Sequence, residues 1–336
     1  KYFSGIDLDL SKVLFIFSYN DANLIDKILL DRIHRVKFEP LTLNDKVVIA
    51  NKYILPTILK EMGLTDNVYF DEDVISYIIE NYTYESGVRK LKDLFFEIIG
   101  EINVNYLVNN ETIIPMYVTI DDVKLKYLKN SIEIKQPVCH LESKVGVING
   151  LWANSYGKGG ILMIESYFYL CETLFNLNLT GLQGNVMKES MQIAKTLAWN
   201  LTNNNTKKST LDNIKKTLMK GIHIHCGDGA TNKDGPSAGA GITTVIYSLI
   251  NNIKIRNNFA ITGEINIQGE IKAIGGLDNK LRGGIKANIT DFIIPYENIR
   301  DYDLFYNNLT DKSILNNITI HKVKTINEVF ELIFVK

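Results

Sequence analysis

No one sign of charge dominates this chain: 37 Lys and Arg stand against 38 Asp and Glu, a formal net charge of -1. No global field therefore draws it onto nucleic acid or anionic lipid, and either kind of binding would have to be local. Long apolar runs are also missing. The longest, such as Val13-Leu14-Phe15-Ile16-Phe17, fall far short of the ~20 residues a membrane span requires, and the N-terminal stretch lacks the charged-then-apolar layout of a signal peptide. Cysteine is scarce. Cys139, Cys171 and Cys226 are odd in number, widely spaced and free of a C-x-x-C pattern, which argues against a disulfide framework and a zinc knuckle and points to a reducing compartment, cytoplasm or mitochondrial matrix. What is present, 46% hydrophobic and 22% charged residues over 336 positions, suffices for two or three folded domains. The chain starts at Lys1 without Met and is read as a piece of something longer.

Along the chain, Val13 to Ser18 reads as a buried strand ending at Tyr19-Asn20-Asp21, and a short helical stretch runs through Leu29 to Arg32. Start signals over Thr42 to Asp45 open a helix from Val47 to Leu59 that Pro56 must kink or break. A second helix is expected from Asp71 to Asn81. In a third, Val88, Leu91, Phe95, Ile98 and Ile102 line up one apolar face. Residues 38–110 thus read as a small all-α domain. Charges cluster from Asp121 to Gln136, and from Lys144 the pattern turns β-rich, so a boundary is placed between them.

Beyond that boundary, Val145 to Ala153 and Ile161 to Leu170 read as strands joined by the hairpin connector Tyr156-Gly157-Lys158-Gly159-Gly160. A helix over Val186 to Leu201 precedes a solvated polar loop over Asn203 to Thr210. Ile222 to Cys226 is a strand, Ala238 to Leu249 a helix, Phe259 to Ile274 a strand hairpin turning at Gln268-Gly269, Leu277 to Lys286 a helix and Phe292 to Ile294 a strand. The second half is an α+β domain.

The stretch richest in chemistry is Lys233-Asp234-Gly235-Pro236-Ser237-Ala238-Gly239-Ala240-Gly241. Asp, Gly and Pro set a turn, Pro suits a first helical position, and the small residues let a helix start close to neighbouring backbone. Ser237 then sits at a helix N-terminus, where unpaired N–H groups and the positive dipole end can hold a developing oxyanion. A plain capping turn fits the same residues, and this segment alone does not separate the two. A serine nucleophile needs a base. His223 and His225 alternate on one strand face with Cys226 pointing the other way, a poor metal set, and read as structural strand residues. Lys280, between apolar Leu277, Leu281 and Ile285, is the other candidate: an ammonium held against such surface loses solvation, and its pKa falls toward ~7–8. Taken alone, the reading as an exposed helix lysine wins heavily, since most lysines are solvated.

Taken together, Asp234-Gly235-Pro236-Ser237-Ala238-Gly239, Ile261-Thr262-Gly263-Glu264 and Ile274-Gly275-Gly276-Leu277-x-x-Lys280 resemble the proteolytic domain of the Lon protease family, a Ser–Lys dyad peptidase. Val145 to Leu151, the run from Thr180-Gly181 to Glu189-Ser190, and Ile222-His223-Ile224-His225 resemble earlier parts of that domain. The resemblance implies Ser237 as nucleophile, Lys280 as general base, Thr262 orienting the amine, and Asp234 and Glu264 in supporting places. It also divides the chain: residues 1–37 as the end of an AAA+ α/β core, 38–120 as an all-α lid, 121–143 as linker and 144–336 as an α+β proteolytic domain. Asn20 resembles the polar sensor-1 residue, Arg32 the arginine finger and Arg89 sensor 2, positions that would serve ATP and Mg²⁺ in the intact protein. The phosphate-binding loop is absent, since no Gly-Lys-Ser or Gly-Lys-Thr occurs and Gly157-Lys158-Gly159 leads into a strand. The implied activity is ATP-dependent cleavage of unfolded polypeptide by a hexameric ring. The alternative is a Lon-like domain without catalysis, used for oligomerisation or nucleic-acid handling.

Overall fold

The structure, a computed structural model, describes residues 9–19, 22–36, 38, 40–109, 114–134, 139–140, 142–154, 157–216, 220–227, 233–309 and 312–335. The chain divides into two compact units, Lys1–Glu39 and Pro40–Lys336. In the first, a 3-10 turn over Ala22–Leu24 precedes the one-turn helix α1 (Lys27–Leu30), opened by Asp26, whose carboxylate accepts the Ile28 N–H at 2.7 Å. The strand expected from Val13 to Ser18 does not form, and Leu14 and Ile16 are 83% and 84% exposed. β-branched and aromatic residues make a strand only where a neighbour takes up the backbone groups, and no described residue pairs with this stretch. The α/β character expected for residues 1–37 is thus not seen among the described residues.

The second unit begins with α2 (Leu43–Ile49), which opens on a capping box: Thr42 Oγ1 accepts the Asp45 N–H at 3.2 Å and the Asp45 carboxylate accepts the Thr42 N–H at 3.0 Å. Pro56 does not break the helix that follows. A π turn over Ala50–Ile54 widens the spiral immediately before α3 (Leu55–Glu61), where proline has no N–H to give. Strand β1 (Val68–Phe70), α4 (Glu72–Tyr82) and α5 (Arg89–Val104) follow, and β2 (Met116–Val118) pairs parallel with β1 before the short α6 (Ile120–Asp122). The predicted stripe of α5 is the core: Leu91, Phe95, Ile98 and Ile102 are fully buried against Ile58, Ile75 and Ile78. Helices α2 to α5 carry the helical expectation, and the β1–β2 pair is an addition to it.

From β3 (Lys144–Val145) the chain builds β4 (Val147–Ala153), β5 (Gly159–Leu170), β6 (Leu177–Thr180), α7 (Asn185–Leu201), α8 (Asn204–Lys216), β7 (Lys220–Cys226), α9 (Gly239–Asn251), β8 (Lys254–Ile255) and β9 (Phe259–Ile261). Then come β10 (Glu264–Ile265), β11 (Ile271–Lys272), α10 (Leu277–Lys286), β12 (Asp291–Pro295), α11 (Ile299–Asn307), β13 (Thr319–Val323) and α12 (Ile326–Ile333). A seven-stranded mixed sheet has the order β13-β12-β9-β4-β5-β7-β6, with β4, β9, β12 and β13 parallel and β5 antiparallel to both its neighbours. Strand alternation sends residues to two cores. Ile148, Ile164, Ile261 and Ile293 pack under α7, α9 and α12, whereas Leu151, Ile161, Phe292 and Ile294 pack under α10 and α11. The result is a sheet covered by helices on both faces.

Two expectations are corrected here. Asn203 to Thr210 is not a loop: Asn203 Oδ1 accepts the Thr206 N–H at 2.8 Å and starts α8, whose polarity is that of a solvated helix face. Phe259 to Ile274 is not one hairpin. β9 belongs to the large sheet, and only β10 and β11 pair antiparallel, around a turn with Gly269 at φ +85°.

Candidate active site

The site lies past the carboxyl end of β9, where the next residues are Thr262 and Gly263. In an open sheet with parallel strands this is where side chains from both layers can meet. Thr262 is fully buried, and its N–H donates to the Ile293 carbonyl at 3.1 Å, extending the β9–β12 ladder by one bond.

Ser237 arrives from the α9 side. Gly235 takes φ +117°, a backbone conformation open to glycine, and Pro236 opens the 3-10 turn Pro236–Ala238 that runs into α9. The half-buried Ser237 is fixed by its main chain: its carbonyl accepts the Gly263 N–H at 2.8 Å and the Thr262 hydroxyl at 3.3 Å, and the Ala240 N–H donates to the Gly263 carbonyl at 3.0 Å. A side chain on Gly239 would press on Ile265, with its first carbon 2.9 Å from Ile265 Cγ2, so the helix can start this close only with a glycine. Asp234 is exposed and structural in its contacts. Its Oδ1 accepts the Met187 N–H at 3.0 Å in the first turn of α7 and the Gly235 N–H at 2.9 Å, tying the serine turn to a helix N-terminus. Glu264, in β10 opposite Lys272, lies one residue beyond the Gly263 N–H that holds Ser237.

Lys280 arrives from the opposite face on α10. It is 4% exposed, and its Nζ donates to Thr262 Oγ1 at 3.1 Å. Burial strips water from the ammonium and lowers its pKa from the usual lysine range to about 8, with no charged neighbour contributing. Ser237 Oγ and Lys280 Nζ are not hydrogen-bonded to each other; Thr262 links them, accepting from the amine and donating to the serine carbonyl. Helix α10 is seated by glycines whose significance the sequence pattern did not disclose. A methyl on Gly159 would overlap the Asn279 carbonyl, and one on Gly283 would overlap the backbone of Gly159 and Gly160.

Ser237, Thr262 and Lys280 are therefore brought together, with Asp234 and Glu264 in the flanking backbone. Of the residues expected to serve nucleotide, Arg89 and Arg32 are described, each in its own surroundings. Arg89 is exposed at the start of α5, beside a depression of ≈ 530 Å³ lined also by Glu85, Lys90, Asp93, Leu94 and Glu97. Arg32 is exposed in the turn after α1, in the other unit, and Asn20 lies outside the described residues. The structural reading of His223 and His225 agrees with their contacts: the Thr180 hydroxyl bridges His223 Nε2 at 2.9 Å and His225 Nδ1 at 2.8 Å, holding β6 to β7.

Comparison with known proteins gives two family matches: the Lon protease (S16) C-terminal proteolytic domain over residues 119–336 and the Lon protease AAA+ ATPase lid domain over residues 60–107. Similar relatives include a Lon protease homolog of Acanthamoeba polyphaga mimivirus, 35% identical over 90% of this chain and 35% of its own length. The Lon proteases of Campylobacter jejuni and Clostridium beijerinckii are 35% and 34% identical over 98% of this chain and 41% and 39% of theirs. The chain thus spans about two-fifths or less of these relatives. The matches all fall in one class, the Lon-type proteases. The chain belongs to the Lon protease family, matching its lid and its C-terminal proteolytic domain.

Proposed function

We propose that this chain is the lid and peptidase portion of an ATP-dependent endopeptidase that cuts unfolded polypeptide with a Ser237–Lys280 dyad. The observation that carries the reading is a lysine amine buried without a carboxylate partner and hydrogen-bonded to the threonine that also contacts Ser237. An amine titrating near 8 is part neutral at cellular pH and can accept a proton. Once substrate closes the remaining gap, Lys280 takes the Ser237 hydroxyl proton as Oγ bonds to the peptide carbonyl. Backbone N–H groups stabilise an oxygen that gains charge, and since those of Gly239 and Ala240 already donate to the Pro236 and Gly263 carbonyls, that role falls to other groups beside Ser237. The new ammonium then protonates the leaving amine as the C–N bond breaks, leaving an acyl-serine. Water, losing a proton to the same amine, clears the acyl group, and Ser237 recovers its proton. A non-catalytic Lon-like role in oligomerisation or nucleic-acid handling gives no reason to bury an unpaired lysine at such a cost.

ATP and Mg²⁺ belong to the proposal for the longer protein. The described residues do not form a nucleotide grip: Lys158 of the Gly-Lys stretch is spent on the Thr83 carbonyl, and no group of three or more metal-binding side chains occurs among them. No catalytic step here runs through nucleotide. We also place the protein in a hexameric ring in the cytoplasm or mitochondrial matrix, where the thiols of Cys139, Cys171 and Cys226 stay reduced. No helix among the described residues is long and apolar enough to cross a membrane. The test is hydrolysis of casein and of a short fluorogenic peptide by the chain and by Ser237→Ala and Lys280→Ala versions. Cleavage by the parent that falls by on the order of a thousandfold or more in both variants establishes the dyad, and cleavage that survives either one sinks it.

A further inference from the structure

Three lysines converge on the C-terminal end of α4. Lys46 of α2, 4% exposed, donates to the Glu85 carbonyl at 2.5 Å. Lys158 donates to the Thr83 carbonyl with its ammonium 5.0 Å from the centre of the Tyr84 ring, and Lys286 pairs with the Glu80 carboxylate. The end of a helix offers unpaired carbonyls and partial negative charge, so cations settle there. Lys46 comes from the helical domain itself, but the other two do not. Lys158 stands at the tip of the β4–β5 hairpin, and Lys286 is the last residue of α10, the helix that carries Lys280.

Hairpin and helix are packed backbone to backbone. Gly159 and Gly283 put the start of β5 and the backbone of α10 in direct contact at Asn279 and Lys280, with no room for even a methyl between them. A second tie runs from Asn154, whose Nδ2 donates to the Tyr84 hydroxyl at 2.5 Å and whose Oδ1 accepts the Lys158 N–H at 3.0 Å. The Lys286–Glu80 pair is partly solvated on both sides and contributes little by itself. Lys158 is the half-buried link: loss of solvation, with Lys46 and Lys286 nearby, lowers its pKa to about 8, while Glu80 and Glu85 favour its charge.

We propose that the C-terminal end of α4 is a seat that sets the position of the Lys280 amine, with Lys158 as a positioning residue acting through the Gly159–Gly283 contact. A shift of the lid helix is thereby passed to the general base across packed backbone, and a displacement of ~1 Å at a reacting group can cost on the order of a hundredfold in rate. The inference rests on the reading of Ser237 and Lys280 as the dyad.

The experiment compares the chain with Lys158→Met and Lys158→Arg, alongside Ser237→Ala and Lys280→Ala. One readout is peptide hydrolysis resolved into kcat and KM. The other needs no turnover: labelling of the Lys280 amine by an amine-specific reagent across pH, followed by mass spectrometry. K158M is expected to lower kcat on the order of tenfold to a hundredfold with KM little changed and to move the Lys280 labelling midpoint, while K158R restores most of both. A parental kcat and midpoint in folded K158M overturn the proposal. Should K158M not fold, Lys158→Gln takes its place: a lowered kcat with a moved Lys280 midpoint supports the coupling, and parental values of both overturn it. Cleavage that survives Ser237→Ala or Lys280→Ala defeats the dyad reading itself, whereas silent dyad variants beside a parental K158M defeat the coupling alone.

Discussion

Lys280 and Lys158 occupy two regions that treat the same side chain differently. Both amines are held near 8, and burial is the main cause in each. Around Lys158, at the end of α4, a backbone carbonyl accepts from the ammonium and Glu80 and Glu85 favour the charge, so the amine serves as an anchor. Around Lys280 the acceptor is a threonine hydroxyl and no carboxylate contributes, so the proton can leave without stranding a partner. A depressed pKa therefore does not by itself mark a base. What faces the amine decides whether it holds its proton or trades it.

The contrast is broken most severely by removing each charge in turn. Below pH 8 both native and unfolded chains carry the Lys280 proton, and the native state bears the full cost of a buried ammonium; between about 8 and 10.5 the native state sheds the proton while the unfolded chain keeps it, so stability rises with pH. Lys280→Met should therefore be more stable at pH 7 by up to about 3 kcal/mol, a gain that fades toward pH 10.5, as urea midpoints at the two pH values would show. Lys158→Met should show no such gain, because it leaves the buried Thr83 carbonyl without its donor.

The comparison is sharpened at the hydroxyl. Thr262→Val keeps shape but removes the acceptor of the amine and the donor to Ser237, so kcat should fall on the order of tenfold to a hundredfold. Its pH–rate limb should move below about 8, since the ammonium has lost its hydrogen bond, and an unmoved limb would show that Thr262 does not tune the base. The smallest effect is at the serine turn. Asp234→Ala should cost about 1 kcal/mol of stability by freeing the α7 N-terminus, read as a shift in the urea midpoint.

Legibility followed how local the cause was. Leu277 to Lys286 is a helix in both pattern and structure because its apolar spacing and the glycines before it are local signals, and the same holds for the α5 stripe and the β4–β5 hairpin. The turn chemistry beside Ser237 and the apolar flanks of Lys280 leave a plain reading open for each, and only the resemblance of the two segments taken together singles them out. Lys158 did not, because the carbonyl that gives it meaning lies 75 residues away. Strands β6 and β13, short and half-buried, have too few alternations to announce themselves, and α8 passed for a loop because its turns are paid for by a cap and solvent rather than by an apolar face. Val13 to Ser18 failed for the opposite reason: β-forming residues without a neighbour to pair with.

The helices that supply the hydroxyl and the amine lie on opposite faces of the sheet and reach one another only at the end of β9. Neither half of the sandwich holds both groups, so undocking either helical layer parts the hydroxyl from the amine.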